Sequence, residues 1–135
     1  MKEIKVQASI DNLDAVNEMI DGVLDENGCN MKIKMQIDIS VEELFVNIAS
    51  YAYGDGMGEA TVSIDVLDDP RRAVISFMDS GEPFDPLAKP DPDITLGVEE
   101  RKIGGLGIYM VKKSMDDVKY EYKDGLNILK IVKNF

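Results

Sequence analysis

Two pairs of short apolar runs, each joined by a brief turn, constrain this chain most. Residues 61–67 and 73–78 are β-branched and apolar, with Asp68-Asp69-Pro70-Arg71 between them. Residues 118–122 and 126–132 flank Asp124-Gly125, a dipeptide suited to the positive φ angles of a two-residue hairpin turn. Strands joined this way pair antiparallel, so much of any sheet in this chain is antiparallel.

The rest of the chain supplies helices to cover such a sheet. Val6, Ala8 and Ile10 alternate with polar residues and predict a first strand. Leu13, Val16, Met19, Ile20 and Val23 follow at helical spacing, with Ser9 or Asp11 as cap and Gly28 as terminator. Residues 31–41 carry two patterns. Met31, Ile33, Met35, Ile37, Ile39 and Val41 alternate as in a strand, whereas Ile33, Ile37, Val41, Leu44, Phe45, Ile48 and Ala52 form a helical stripe. From Val41 onward the helix is clear, and Gly54, Gly56 and Gly58 break it. Residues 83–103, with Pro83, Pro86, Pro90 and Pro92, read as a long functional loop, and residues 106–115 as another helix. The order β, α, α, β, β, loop, α, β, β predicts an α+β fold. It is a two-layer sandwich with a mixed, mostly antiparallel sheet and helices on one face. No linker or repeat divides the chain, so residues 1–135 are expected to form one domain.

Charge and composition narrow the function. The formal net charge is −11, which opposes direct nucleic-acid binding and anionic membrane surfaces and favours a basic protein partner. There is no histidine, so Ser-His-Asp triads, Cys-His pairs and histidine-held zinc are excluded within this chain. Cys29 is the only cysteine and reads as a small apolar residue. The first residues lack a signal-like apolar stretch, and no run approaches a membrane span, so a cytoplasmic location is expected.

Three segments have the makings of a site. Glu43 and Asn47 lie four apart on one helix face, roughly opposite the apolar stripe. A carboxylate and an amide there suit a hydrated metal and a nucleophile, although Ser40-Val41-Glu42-Glu43 also fits a plain capping box. Asp79-Ser80-Gly81 follows an apolar strand, so a carboxylate stands at the strand end beside backbone that a ligand can approach closely; an ordinary turn has the same composition. Gly104-Gly105-Leu106-Gly107 opens a helix, whose free N–H groups favour anions, with Arg101 and Lys102 just before it. This run is neither a P-loop nor a dinucleotide fingerprint, and a hinge would look alike.

In this order the three segments resemble the ATP-binding domain of the GHKL superfamily, with Glu43-Leu44-Phe45-Val46-Asn47 as N box, Asp79-Ser80-Gly81 as G1 box and Gly104 to Gly107 as G2 box. The short length, the run from Asp79 to Pro86 and Ala52-Tyr53 make the anti-sigma regulatory factor branch the nearest likeness. The resemblance implies a Bergerat-type fold and places residues from about 31 in the N-box helix, which would rule out the capping box. It implies ATP and Mg²⁺ as cofactors. Asn47 would hold Mg²⁺, Glu43 would act as general base, Asp79 would accept from the adenine amino group, and Gly81 would make room for the ring. Gly104, Gly105, Leu106 and Gly107 would form the phosphate loop, and position suggests Arg101 as an aid to charge neutralisation. The implied activity is phosphorylation of a serine or threonine on a STAS-type antagonist, with sequestration of a sigma factor and compatibility with a homodimer. A non-catalytic nucleotide-gated binding module and an orphan histidine kinase catalytic domain are the alternatives.

Overall fold

The computed structural model describes residues 1–54, 56–88 and 105–135, with side chains from 107 onward in the last stretch. Its five strands are β1 (Lys2–Gln7), β2 (Glu59–Leu67), β3 (Arg72–Asp79), β4 (Asp117–Lys123) and β5 (Leu126–Asn134). They form one sheet in the order β1-β2-β3-β5-β4, and every pairing is antiparallel. Three helices, α1 (Leu13–Glu26), α2 (Met31–Tyr51) and α3 (Gly105–Ser114), contribute to one core on one side of it. Both expected hairpins are present, β2–β3 and β4–β5.

Alternation along the strands sorts the layers. Ala73, Ile75, Phe77 and Asp79 on β3 are buried, and Asn127, Leu129 and Ile131 on β5 share that face. Val16, Ile20 and Leu24 of α1 and Ile37, Val41, Leu44 and Phe45 of α2 close over it, and Val111 of α3 completes the cluster.

The two patterns in residues 31–41 resolve as helix. A strand would have placed all the alternating apolar residues on one face. Instead Ile37 and Val41 are fully buried, while Met31, Met35 and Ile39 are 67%, 55% and 61% exposed. Burying Ile37 and Val41 with Leu44 and Phe45 contributes roughly 1.5–3 kcal/mol per side chain, which outweighs β-branched propensity in this stretch. Asn30 caps the helix, its side-chain oxygen accepting from the Ile33 N–H at 3.0 Å. Ser40 therefore lies buried in mid-helix and the capping-box reading of Glu43 falls.

The first strand differs from expectation. It ends at Gln7, and Ile10 enters a 3-10 turn (Ile10–Asn12) where it is 58% exposed. Ser9 caps that turn, accepting from the Asp11 N–H at 3.3 Å, while Asn12 precedes α1 without a side-chain cap. Gly28, at φ +73°, ends α1 as expected, and the Cys29 N–H returns to the Leu24 carbonyl at 3.0 Å.

Candidate functional site

The end of β3 delivers Asp79 into the core layer, where it is 6% exposed. A carboxylate so buried needs donors, and two are in place. The Gly81 N–H donates to Asp79 Oδ1 at 2.9 Å, and Asn127 Nδ2 donates to the same oxygen at 3.0 Å. Both bonds fall on Oδ1.

Asn127 ties the whole turn together. Its Nδ2 also reaches the carbonyls of Gly81 at 3.3 Å and Glu82 at 2.9 Å. Its Oδ1 accepts from the Phe84 N–H at 3.1 Å and from the Tyr120 hydroxyl. Burial raises the Tyr120 pKa, the charges of Asp85 and Asp79 raise it further, and the backbone bond to Phe84 acts the other way, so the hydroxyl stays a donor at neutral pH.

Gly81 is required by a close approach. A Cβ there would stand 2.0 Å from the Ala52 carbonyl oxygen at the end of α2. That carbonyl accepts from the Glu82 N–H at 3.2 Å, so the turn satisfies an orphan acceptor at the helix C-terminus. Tyr53 pins the other side, accepting from the Ser80 N–H at 3.0 Å and donating to the Glu59 carbonyl. The result is a slot floored by Phe77, Asp79 and Leu129, walled by Asn47, Ile48 and Phe84.

Glu43 and Asn47 lie one turn apart on α2. Asn47 Nδ2 donates to Glu43 Oε1 at 3.4 Å, which leaves the Asn47 carbonyl oxygen as the acceptor of that amide. Glu43 lies against Gly107 in the first turn of α3, where an added Cβ would fall 2.0 Å from Glu43 Oε1. Asn47 lines the slot with Asp79, and Glu43 lines a groove beside it with Gly107. The Glu43–Asn47 flank of α2 thus runs from the slot that holds the buried carboxylate to the start of α3.

The structure brings Asp79 and Asn47 to one slot, with Gly81 in the turn that bonds Asp79, and Glu43 and Gly107 to the groove beside it. Gly105 opens α3 and Leu106 follows in its first turn. Arg101 and Gly104 lie outside the described residues. Asn127 and Tyr120 are not picked out by the sequence motifs, and Tyr53 enters them only as part of Ala52-Tyr53, without a site role. Asn127 does leave a signal: it is the buried polar residue in an apolar alternation with Leu129 and Ile131.

A second polar cluster lies between α1 and α2, away from the slot. Asn17 Oδ1, Asp21 Oδ1 and Asp38 Oδ1 are buried, and no donor among the described residues reaches them while both carboxyls are ionised. Burial, with the hydrogen bond and charge of Asp21, pushes the Asp38 pKa up to about 7.

Among the described residues, no group of three or more His, Cys, Asp or Glu side chains could hold a metal ion by itself. No helix among them is long and apolar enough to cross a membrane.

Helices on one face of an antiparallel sheet, with a locked carboxylate at a strand end beneath an amide-bearing helix, define an ATPase-type α+β domain. The chain belongs to the histidine kinase-like ATPase domain family, whose model matches residues 6–133, so ATP use comes with the family. It is 28% identical over 131 residues to the serine-protein kinase RsbW of Bacillus cereus (strain B4264), covering 94% of this chain and 81% of that protein. The serine-protein kinase RsbW of Bacillus mycoides (strain KBAB4) matches with the same identity and coverage. Among solved structures, a Mycobacterium tuberculosis protein with RsbU and RsbW domains superposes with a TM-score of 0.64 at 13% identity. That match covers 99% of this chain and 32% of the larger protein, and it bears out the fold.

Proposed function

We propose that this chain is an ATP-dependent serine/threonine protein kinase of the anti-sigma regulatory type. The observation that carries the reading is the continuous line of groups from Asp79 at the end of β3, through Asn47 and Glu43 on α2, to Gly107 on α3. Homology to RsbW serine-protein kinases over most of the chain supports it.

Each group has a defined task. Asp79 Oδ2 accepts from the exocyclic amine of adenine, because Asn127 and Gly81 hold the other oxygen. Gly81 keeps the turn close to α2 and leaves room for the ring. Backbone N–H groups of Gly105, Leu106 and Gly107, at the start of α3, meet the phosphates, and Gly104 and Arg101, just before them in sequence, are assigned to the same task. Asn47 Oδ1, a hard oxygen, would hold Mg²⁺, a cation that needs few protein ligands. The ion's contribution is neutralisation of phosphate charge. Glu43 accepts the proton of a protein hydroxyl as that oxygen bonds to the γ-phosphorus and the bridging bond to ADP breaks.

The acceptor is a STAS-type antagonist, and the sequestered partner is a sigma factor, in a cytoplasmic system where the chain is compatible with a homodimer. The net charge of −11 favours a basic partner surface. Labelled ATP and Mg²⁺ with purified STAS-type proteins test the reading. Transfer to a serine or threonine is expected, and Glu43→Ala should abolish it with ATP binding largely intact. Intact ATP binding with no transfer to any of them would refute the kinase assignment.

A further inference from the structure

The outer side of α2 carries an apolar stripe that the described residues leave uncovered. Met31, Met35 and Ile39 recur every four residues and are each more than half exposed. Across a groove from Ile39, on α3, Met110 is 50% exposed. Between the helices runs a groove walled by Ile39, Val46 and Met110 that also takes in Glu42, Glu43 and Gly107. Exposed apolar surface of this kind, rimmed by polar groups, marks a binding surface more often than a solvated face.

Three observations select the occupant. The groove includes Glu43, so a segment lying in it comes within reach of that carboxylate. Among the described residues its lining holds two carboxylates and no lysine or arginine, which repels an acidic segment and suits one that is apolar with a basic flank. A second copy of the chain, at net charge −11, is a poor match for an acidic lining. The adenine slot lies on the other side of Asn47, so of the nucleotide only the phosphates approach the groove, at its Glu43–Gly107 end.

We propose that the α2–α3 groove is the docking site for the protein substrate. An apolar segment with a basic flank lies along Ile39, Val46 and Met110 and presents its hydroxyl to Glu43. This rests on the reading of Glu43 as general base. Remote binding of this kind positions the acceptor while the nucleotide site stays unchanged.

Steady-state phosphotransfer to the STAS-type protein that the wild type phosphorylates tests it, with Ile39→Glu and Met110→Glu. The KM for the protein substrate is expected to rise about tenfold or more, with the KM for ATP and the calorimetric ATP affinity unchanged. Should either variant lose ATP affinity through misfolding, Ile39→Ser and Met110→Gln provide the second reading, with an expected rise of roughly threefold. An unchanged protein KM in folded variants overturns the groove and leaves the kinase assignment standing. The groove is equally overturned if sedimentation shows that the variants lose only self-association, since it then joins copies of the chain. A wild type that binds ATP but phosphorylates no STAS-type protein removes the kinase assignment and the groove with it.

Discussion

Asp79 and Asn127 face each other across the β3–β5 pairing, and the Asn127 amide donates to Asp79 Oδ1 at 3.0 Å. One side chain on a neighbouring strand thereby fixes which carboxylate oxygen is presented to the slot. It also gathers the Gly81 and Glu82 carbonyls and the Phe84 N–H.

Asn127→Ala should uncouple this arrangement. Asp79 would remain buried with one donor fewer, and two carbonyls would lose theirs, a cost of about 2–3 kcal/mol. Thermal unfolding should show it, and calorimetric titration should show ATP affinity reduced by about tenfold or more. Unaltered ATP affinity in a folded variant would contradict the role assigned to Asn127.

Asp79→Asn separates recognition from folding. The amide has nearly the same shape and keeps an oxygen for Asn127, so the unliganded melting temperature should fall by only a few degrees for about 1 kcal/mol. Its other end presents a donor to the adenine amine, itself a donor. Mg-ATP should then give no thermal stabilisation, and a normal ATP-induced shift would show that Asp79 does not read the base.

Much of the fold is legible in the sequence because its signals are local. The Asp124-Gly125 turn and the apolar stripe from Val41 onward each require only their own neighbours, and both stand as expected. The stretch 31–39 is ambiguous because its apolar residues satisfy two periods at once. Only the sheet beneath, which accepts Ile37 and leaves Ile39 outside, decides between them. The end of the first strand misleads for a similar reason, since Ile10 continues an alternation that packing does not use. In the site, Glu43, Asn47, Asp79 and the glycines are visible as motifs. Asn127 is not, because its importance comes from a partner 48 residues away.

The two contact glycines should respond differently to alanine. At Gly81 the obstacle is the backbone carbonyl of Ala52, which cannot swing aside. Gly81→Ala should cost roughly 2 kcal/mol or more and depress both melting temperature and ATP binding. At Gly107 the obstacle is the far end of Glu43, which can rotate. Gly107→Ala should keep the melting temperature within a few degrees yet displace the carboxylate, cutting phosphotransfer by about tenfold or more. Equal stability losses in the two variants would show that the Gly107 contact is part of the packing.

Stability should fall as pH rises from about 4 to about 7. Asp38 has a pKa raised from 3.8 to about 7, because burial and Asp21 disfavour its charge. The folded state therefore holds a proton across that window that the unfolded chain has released, and linkage makes stability decline until the folded carboxyl also ionises. The stabilising contribution is fully present below pH 4 and lost above pH 7. The groups facing Asp38 are Asp21 and Asp25 from α1 and Lys34 from its own helix, and only Lys34 favours its charge. The raised value would represent about 4 kcal/mol at full weight, and partial solvent screening reduces this to roughly 1–2 kcal/mol. Asp38→Asn removes the ionisation and offers an amide to the unpartnered Asp21 oxygen. Denaturant melts should find the variant more stable than wild type at pH 8 by about that amount and nearly equal at pH 4, with a flatter profile between. A wild type whose stability is level from pH 4 to 7, or a variant that is weaker at pH 8, would show that these carboxyls do not share a proton between α1 and α2.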